Sequence, residues 1–246
     1  NKKNIEESIL DIVKSYSSSN SNDINSNEYF LFLINLSLFI NPKLIEALYI
    51  KGQFYQQFTN YVQAEKIYNQ ITSSDYLFLE SQMNIAIIKN MNNEFKLAVK
   101  ILQNLIIHYP HHFATEILLA DIYRANSFYN KAINLYSKII KNINNQDELW
   151  RLLFMRGICF EKLNNWQKAE RDFLKALEIY PNQPKVLNYL AYGWIEKNLN
   201  LDRSLRMLEI AVEKDPESYF ILDSLAWAHF KKENYLEAMK LMEKVI

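Results

Sequence analysis

The chain has 246 residues, 49% of them hydrophobic and 23% charged, a globular composition with enough apolar material for one large domain or a long repeat array. Lys and Arg together number 28, as do Asp and Glu, and this balance excludes a general electrostatic affinity for nucleic acid or for an anionic membrane. Only 3 glycines and 5 prolines occur, which suits an all-helical chain, and with Cys159 as the single cysteine no intrachain disulfide can form.

In chain order, Ile5, Ile9, Ile12, Val13 and Tyr16 fall at helical spacing. Ser17 to Asn27, SSSNSNDINSN, is polar and low in complexity and reads as a loop. Glu28 to Ile40 reads as a second helix, stopped by Asn41-Pro42. Its Tyr29–Ile40 stretch is the most hydrophobic of the chain, but it is too short for a membrane span and is expected to be a buried helix. Residues 1–44 are therefore expected to form a degenerate helix pair that caps the rest of the chain.

From Ile45 a period of about 34 residues sets in. Counting from Ile45, Gly52 is at position 8, Tyr55 at 11, Ala64 at 20 and Tyr68 at 24. Counting from Leu79, the 8, 20, 24 and 32 slots hold Ala86, Ala98, Leu102 and Pro110. From Phe113, Ala120, Tyr123, Ala132 and Tyr136 occupy the 8, 11, 20 and 24 slots, and about three extra residues enter near Lys141 to Asp147. From Trp150, the slots hold Gly157, Phe160, Ala169 and Phe173, with Ala176 at 27 and Pro181 at 32. From Pro184 they hold Ala191 and Trp194, then, after a one-residue insertion, Ser204, Leu208, Ala211 and Pro216. From Tyr219 they hold Ala226 and Ala238. The prolines check the register independently: Pro42 and Pro110 lie 68 residues apart, two full periods. The physical requirement is plain. Small residues at 8 and 20 let two helices approach closely, bulky residues at 11 and 24 fill the gaps around them, and proline ends the second helix.

The segment Leu149 to Gln183, LWRLLFMRGICFEKLNNWQKAERDFLKALEIYPNQ, resembles the tetratricopeptide repeat. The resemblance extends over 45–246 as six units, 45–78, 79–112, 113–149, 150–183, 184–218 and 219–246. It implies an all-α, right-handed superhelical solenoid of antiparallel helix pairs whose concave wall is built by the first helix of each pair. Within it, Asn188 to Ile246 resembles a subfamily of bacterial proteins common in alphaproteobacteria, through the insertion at Asn198 to Leu201 and the DSLAWA segment Asp223 to Ala228. Because the chain starts without methionine and stops within a helical pattern at Ile246, it is expected to be a piece of a longer protein. Members of that subfamily often carry an export signal, so the compartment, cytoplasmic or envelope, stays open.

The resemblance implies a groove face at positions 2, 5, 6, 9, 12 and 13 of each unit. The residues that map there are Tyr49, Gln53, Gln56, Asn84, Asn90, Asp121, Arg124, Phe154, Ile158, Glu161, Asn188, Tyr189, Tyr192, Asp223 and Trp227, with Met83, Ile87, Ile117, Ile195 and Ser224 beside them. Amides bond to both donors and acceptors of a peptide backbone, and aromatic rings supply flat apolar area at low entropic cost. The expected occupant is an extended peptide or a helix of a partner protein. The dicarboxylate clamp of chaperone-binding members needs Lys and Asn at slots that here hold Tyr49, Gln53, Gln57, Met83, Ile87 and Met91, so that mode is not expected.

No catalytic, metal or cofactor site is expected. Pro110 breaks the helix between His108 and His112, which with His111 form the one histidine cluster, so it reads as a surface turn. His229 stands at a packing position, Cys159 has no histidine near it in sequence, and there is no glycine-rich phosphate loop. The expected role is a scaffold or adaptor. The alternatives are self-association through an uncapped C-terminal end that includes Leu241, Val245 and Trp227, or a helper domain to an enzyme lying outside this segment.

Overall fold

The computed structural model describes Asp11, residues 24–110 and residues 112–244. The helix expected over Ile5 to Tyr16 therefore lies outside the described residues except for Asp11, as do most of the polar loop, His111 and Val245. Thirteen α-helices and no strand occur among the described residues. They are α1 (Ile24–Ile40), α2 (Ile45–Gln57), α3 (Tyr61–Tyr68), α4 (Phe78–Met91), α5 (Phe95–His108), α6 (Phe113–Ala125), α7 (Tyr129–Ile140), α8 (Gln146–Lys162), α9 (Trp166–Ile179), α10 (Pro184–Glu196), α11 (Leu201–Lys214), α12 (Tyr219–Lys231) and α13 (Tyr235–Met242). The chain is an all-α solenoid that divides into two compact units, residues 1–122 and 123–246. α1 begins at Ile24, inside the stretch whose polar composition reads as loop, because Asn and Ser are weak enough helix breakers to be carried by the adjoining apolar run.

The helix pairs are joined by one turn used six times. Position 15 is left-handed in every repeat, at Thr59, Asn93, Ser127, Asn164, Asn198 and Glu233, with φ between 53° and 63°. The next amide along the chain donates five residues back, from Asn60, Glu94, Phe128, Asn165, Leu199 and Asn234 to the carbonyls of Tyr55, Lys89, Tyr123, Phe160, Trp194 and His229, at 2.8–2.9 Å. The amide of position 15 itself bonds to the carbonyl three residues back. These two bonds close a Schellman motif and satisfy carbonyls that the end of a helix would otherwise leave open. The insertion after Asn198 puts a second left-handed residue, Asn200, just before α11.

Small residues then set the distance between helices. Gly52 is buried on α2, and a Cβ built there would lie 2.4 Å from Cε1 of Tyr68 on α3. Gly157 is buried on α8, where a Cβ would lie 2.6 Å from Cε1 of Phe173 on α9. No glycine has positive φ, so size and not backbone freedom fixes these positions. Ala64, Ala86, Ala98, Ala120, Ala132, Ala169 and Ala191 are all fully buried, as are the ring-bearing or branched side chains of Tyr68, Leu102, Tyr136, Phe173 and Leu208.

In the second unit one continuous core runs from Leu153 and Phe154 through Phe173, Leu190 and Trp194 to Leu225 and Leu241. Leu241, expected on an open end, is thus a core residue, since the last turn of α13 folds its apolar side onto that cluster. A polar staple crosses the same unit. Arg156 on α8 donates from Nε and Nη2 to the two carboxylate oxygens of Asp172 on α9, at 2.7 and 2.8 Å, and from Nη1 to Ser137 Oγ on α7 at 3.0 Å. Asp172 has no exposed surface, so its charge is stabilised by this fork and not by water.

Both contacts can be tested by unfolding. Gly157→Ala must displace the fully buried Phe173 and is expected to cost about 1–3 kcal/mol in denaturant unfolding; an unchanged midpoint would show that the helices have room to spare. Asp172→Ala strands a half-buried guanidinium and is expected to cost about 3–5 kcal/mol by the same measurement, whereas a loss below about 1 kcal/mol, that of a surface pair, would mean the fork is solvated.

Candidate functional site

In the first unit, the face carried by α2 and α4 is built from amides and tyrosines. Asn84 donates from Nδ2 to the Tyr49 hydroxyl at 3.1 Å, and Tyr68 donates to Gln56 Oε1 at 3.1 Å. The Tyr49 and Tyr68 rings meet at 5.8 Å. Burial pushes both hydroxyls above their ordinary values; the Asn84 bond works against this at Tyr49, and Tyr49 reinforces it at Tyr68. Both therefore stay neutral and act as hydrogen-bonding groups. Gln53, Gln56, Gln57, Thr59, Tyr61, Asn84 and Met91 line a cleft of about 440 Å³. Three of the expected groove residues, Gln53, Gln56 and Asn84, are brought together there. Asn90 and Asp121 are half-buried and already engaged by neighbouring groups.

In the second unit, α8, α10 and α12 are the first helices of successive pairs. Tyr189 and Tyr192 on α10 are 37% and 42% exposed although Leu190, Ala191 and Trp194 of the same helix are buried. Tyr189 stands edge-on to Phe154 at 5.2 Å and also meets Phe173 at 6.0 Å. Burial raises the Tyr192 hydroxyl above its ordinary value, and Glu196, Asp223 and Glu161 raise it further, opposed by Lys162. Carboxylates from three helices thus converge on one phenol. Glu161 and Asn188 are half-buried, and Asp223 is exposed. Arg124 is half-buried and engaged.

Some expected groove residues are placed differently. Phe154 and Ile158, at 4% and 8% exposure, are core residues and not surface. Phe154 is covered by Tyr189 of the next pair, and Ile158 packs into the same cluster, because each first helix leans on its neighbour and hides part of the predicted stripe. Ile195 and Ser224 are buried as well. Trp227 is half-buried and largely committed within the chain. It stacks on Phe230 at 5.3 Å, donates from Nε1 to Glu196 at 2.8 Å and has the Lys231 ammonium 4.9 Å from its ring centre. Glu196, at position 13 of its unit though not among the groove residues named from the sequence, is thus a member of this face. Its signal lay in a carboxylate one turn beyond Tyr192.

Elsewhere, His108 Nδ1 lies 2.8 Å from the Asn104 carbonyl and His112 Nδ1 lies 2.8 Å from Thr115 Oγ1, so the two rings serve separate local bonds. No group of three metal-ligating side chains occurs among the described residues, and Cys159 is buried. No helix among the described residues is long and apolar enough to cross a membrane.

This geometry, paired helices locked by small residues and a recurring left-handed turn, defines a helical-repeat solenoid. Residues 150–183 match the tetratricopeptide repeat family, and the fold of the chain is that of a tetratricopeptide-repeat solenoid. Its fold is similar to that of a tetratricopeptide repeat protein from Parabacteroides merdae, with a TM-score of 0.63 and 22% identity over 81% of this chain and 78% of that one. It is also similar to YrrB, described as a tetratricopeptide-repeat protein with an unusual peptide-binding site, with a TM-score of 0.51 and 19% identity over 68% of this chain and 84% of that one. MamA of Desulfovibrio magneticus matches with a TM-score of 0.57 and 16% identity over 68% of this chain and 92% of its own.

The convergence on Tyr192 is measurable. Replacing Glu161, Glu196 and Asp223 by their amides is expected to lower the ionisation midpoint of Tyr192, tracked by the tyrosine Cζ resonance in an alkaline NMR titration. Burial persists in the variant, so the midpoint stays above the ordinary value near 10. An unmoved midpoint would mean that the carboxylates do not act on this phenol.

Proposed function

We propose that this chain is a non-catalytic interaction scaffold that holds an extended segment of another protein against its first helices. The observation that carries the reading is the exposure of Tyr189 and Tyr192 on successive turns of α10, while Val186, Leu187, Leu190, Ala191, Trp194 and Ile195 of that helix are packed into the core. Rigid aromatic side chains standing on an ordered helix bind with little entropy loss, because the scaffold is already fixed. The amide cleft of the first unit supports the same reading, since Gln53, Gln56 and Asn84 can bond a peptide backbone whatever its sequence. YrrB, similar in fold, is a protein with a peptide-binding site, and the tetratricopeptide repeat is an interaction fold, which also favours this role. Asn90 and Asp121 stay in the proposed face of the first unit, and Arg124, Glu161, Asn188, Asp223 and Trp227 in that of the second, where Phe154 and Ile158 act only as its support.

A second reading, self-association, is favoured by the exposure of Tyr235, Leu236 and Met239 on α13. Sedimentation velocity across a concentration series separates it: a strict monomer removes it.

The test of the main reading is selection of peptides from a random dodecamer phage library on the whole chain, with titration of the selected peptides. Tyr189→Ala combined with Tyr192→Ala is expected to weaken binding tenfold or more, about 1 kcal/mol or more for each anchor lost, with the helical circular dichroism unchanged. Undiminished binding by the folded double variant would remove the face from the account.

A further inference from the structure

We infer that the partner segment held by the second unit is cationic, with an Arg or Lys side chain seated beside Tyr192. This rests on the reading of the first helices as a peptide-binding face. Three observations carry it.

Glu161, Glu196 and Asp223, contributed by α8, α10 and α12, all act on the Tyr192 hydroxyl, against the single ammonium of Lys162. Three carboxylates against the ammoniums of Lys162 and Lys231 leave this part of the face net negative although the chain as a whole is neutral. A carboxylate-bearing segment would meet repulsion here, and a cationic one attraction.

Two acceptors on the face are short of a donor. Glu161 Oε2 is enclosed and receives no hydrogen bond; the Lys162 ammonium lies 3.4 Å from it without the alignment of one. Asn188 Oδ1, one helical turn before Tyr192 on α10, is likewise enclosed without a donor. An acceptor without a donor is satisfied by an N–H group once its side chain turns to meet it. A guanidinium carries five N–H donors and no acceptor, and an ammonium three.

The rings are suited to the same group. The Tyr192 ring is exposed, and a cation over an aromatic face is stabilised by the ring's negative centre. The protein already makes this pairing for itself on the same side, with Lys231 over Trp227 at 4.9 Å. The two arginines of these helices are engaged: Arg156 is forked onto Asp172, and Arg151 pairs with Glu148 at 3.3 Å.

The test sequences the peptides that the whole chain selects from the random dodecamer library. Enrichment of Arg or Lys in the selected pool is expected. For those peptides, Glu161→Gln combined with Asp223→Asn is expected to weaken binding about tenfold, the sum of two partly exposed charge contacts. Wild-type affinity is expected to fall as salt is raised from about 0.05 to about 0.5 M, whereas the double variant loses most of that dependence. Circular dichroism and the unfolding midpoint report whether the variant is folded, and Asp223→Asn alone, at an exposed position, gives the same readout with no risk to the core. A neutral or acidic pool that still needs Tyr189 and Tyr192 overturns the cationic assignment and leaves the scaffold reading standing. Basic peptides that bind equally well to the amide variant overturn it too. A pool indifferent to Tyr189 and Tyr192 overturns both.

Discussion

The structure depends on one steric relation. A side chain of almost no volume on the first helix of a pair lies under a ring or branched chain of the second helix. At Gly52 and Gly157 the fit is so close that even a methyl group would collide with Tyr68 or Phe173. Close packing of this kind is all-or-nothing, since a protein interior transmits a misfit to its neighbours. The relation is local in sequence, and it makes each pair a ready unit. It does not bury the apolar side of the pair, and that forces the next pair to stack. In the second unit the result is the continuous core through Phe173, Leu190, Trp194 and Leu225.

Function emerges from what that stacking leaves over. α10 gives Leu190, Ala191 and Trp194 to the core, while Tyr189 lies over Phe154 and Phe173 with part of its surface exposed, and Tyr192 stays exposed one turn on. Trp194 also ties α10 to α9 through a hydrogen bond from Nε1 to Glu170 at 2.5 Å, and Trp227 ties α12 to α10 through Glu196. The helices that carry the exposed rings are thus held by their own polar ties, and the face is preorganised before any partner arrives.

Much of this was legible in the residues. Glycine and alanine at fixed spacing, with rings four positions on and prolines at multiples of the period, mark helix pairs because only small side chains allow the approach. The left-handed turn at position 15 was harder to see. Asn93, Asn164 and Asn198 are residues that tolerate positive φ, but Thr59, Ser127 and Glu233 adopt it under tertiary constraint, with no preference to announce it. Depth was not legible either. Helical period tells which side of α8 carries Phe154 and Ile158, yet their burial depends on Tyr189 of the next pair lying over them. The start of α1 at Ile24 was hidden for a related reason, since its first turn is polar and the apolar run that stabilises it comes later. The Arg156–Asp172 fork joins residues whose charge, read alone, suggests solvent.

The central claim is that small-residue interlocks, and not the surface charges, hold each pair together. Native-state hydrogen exchange, resolved by residue, tests it most directly. The slowest amides of the second unit are predicted to cluster where α8, α9 and α10 meet, around Gly157, Ala169, Phe173 and Ala191, and to exchange only through opening of that whole core. If those amides exchanged through small local openings, while the ends of α8 and α12 were the most protected, the interlock would not be what the fold depends on.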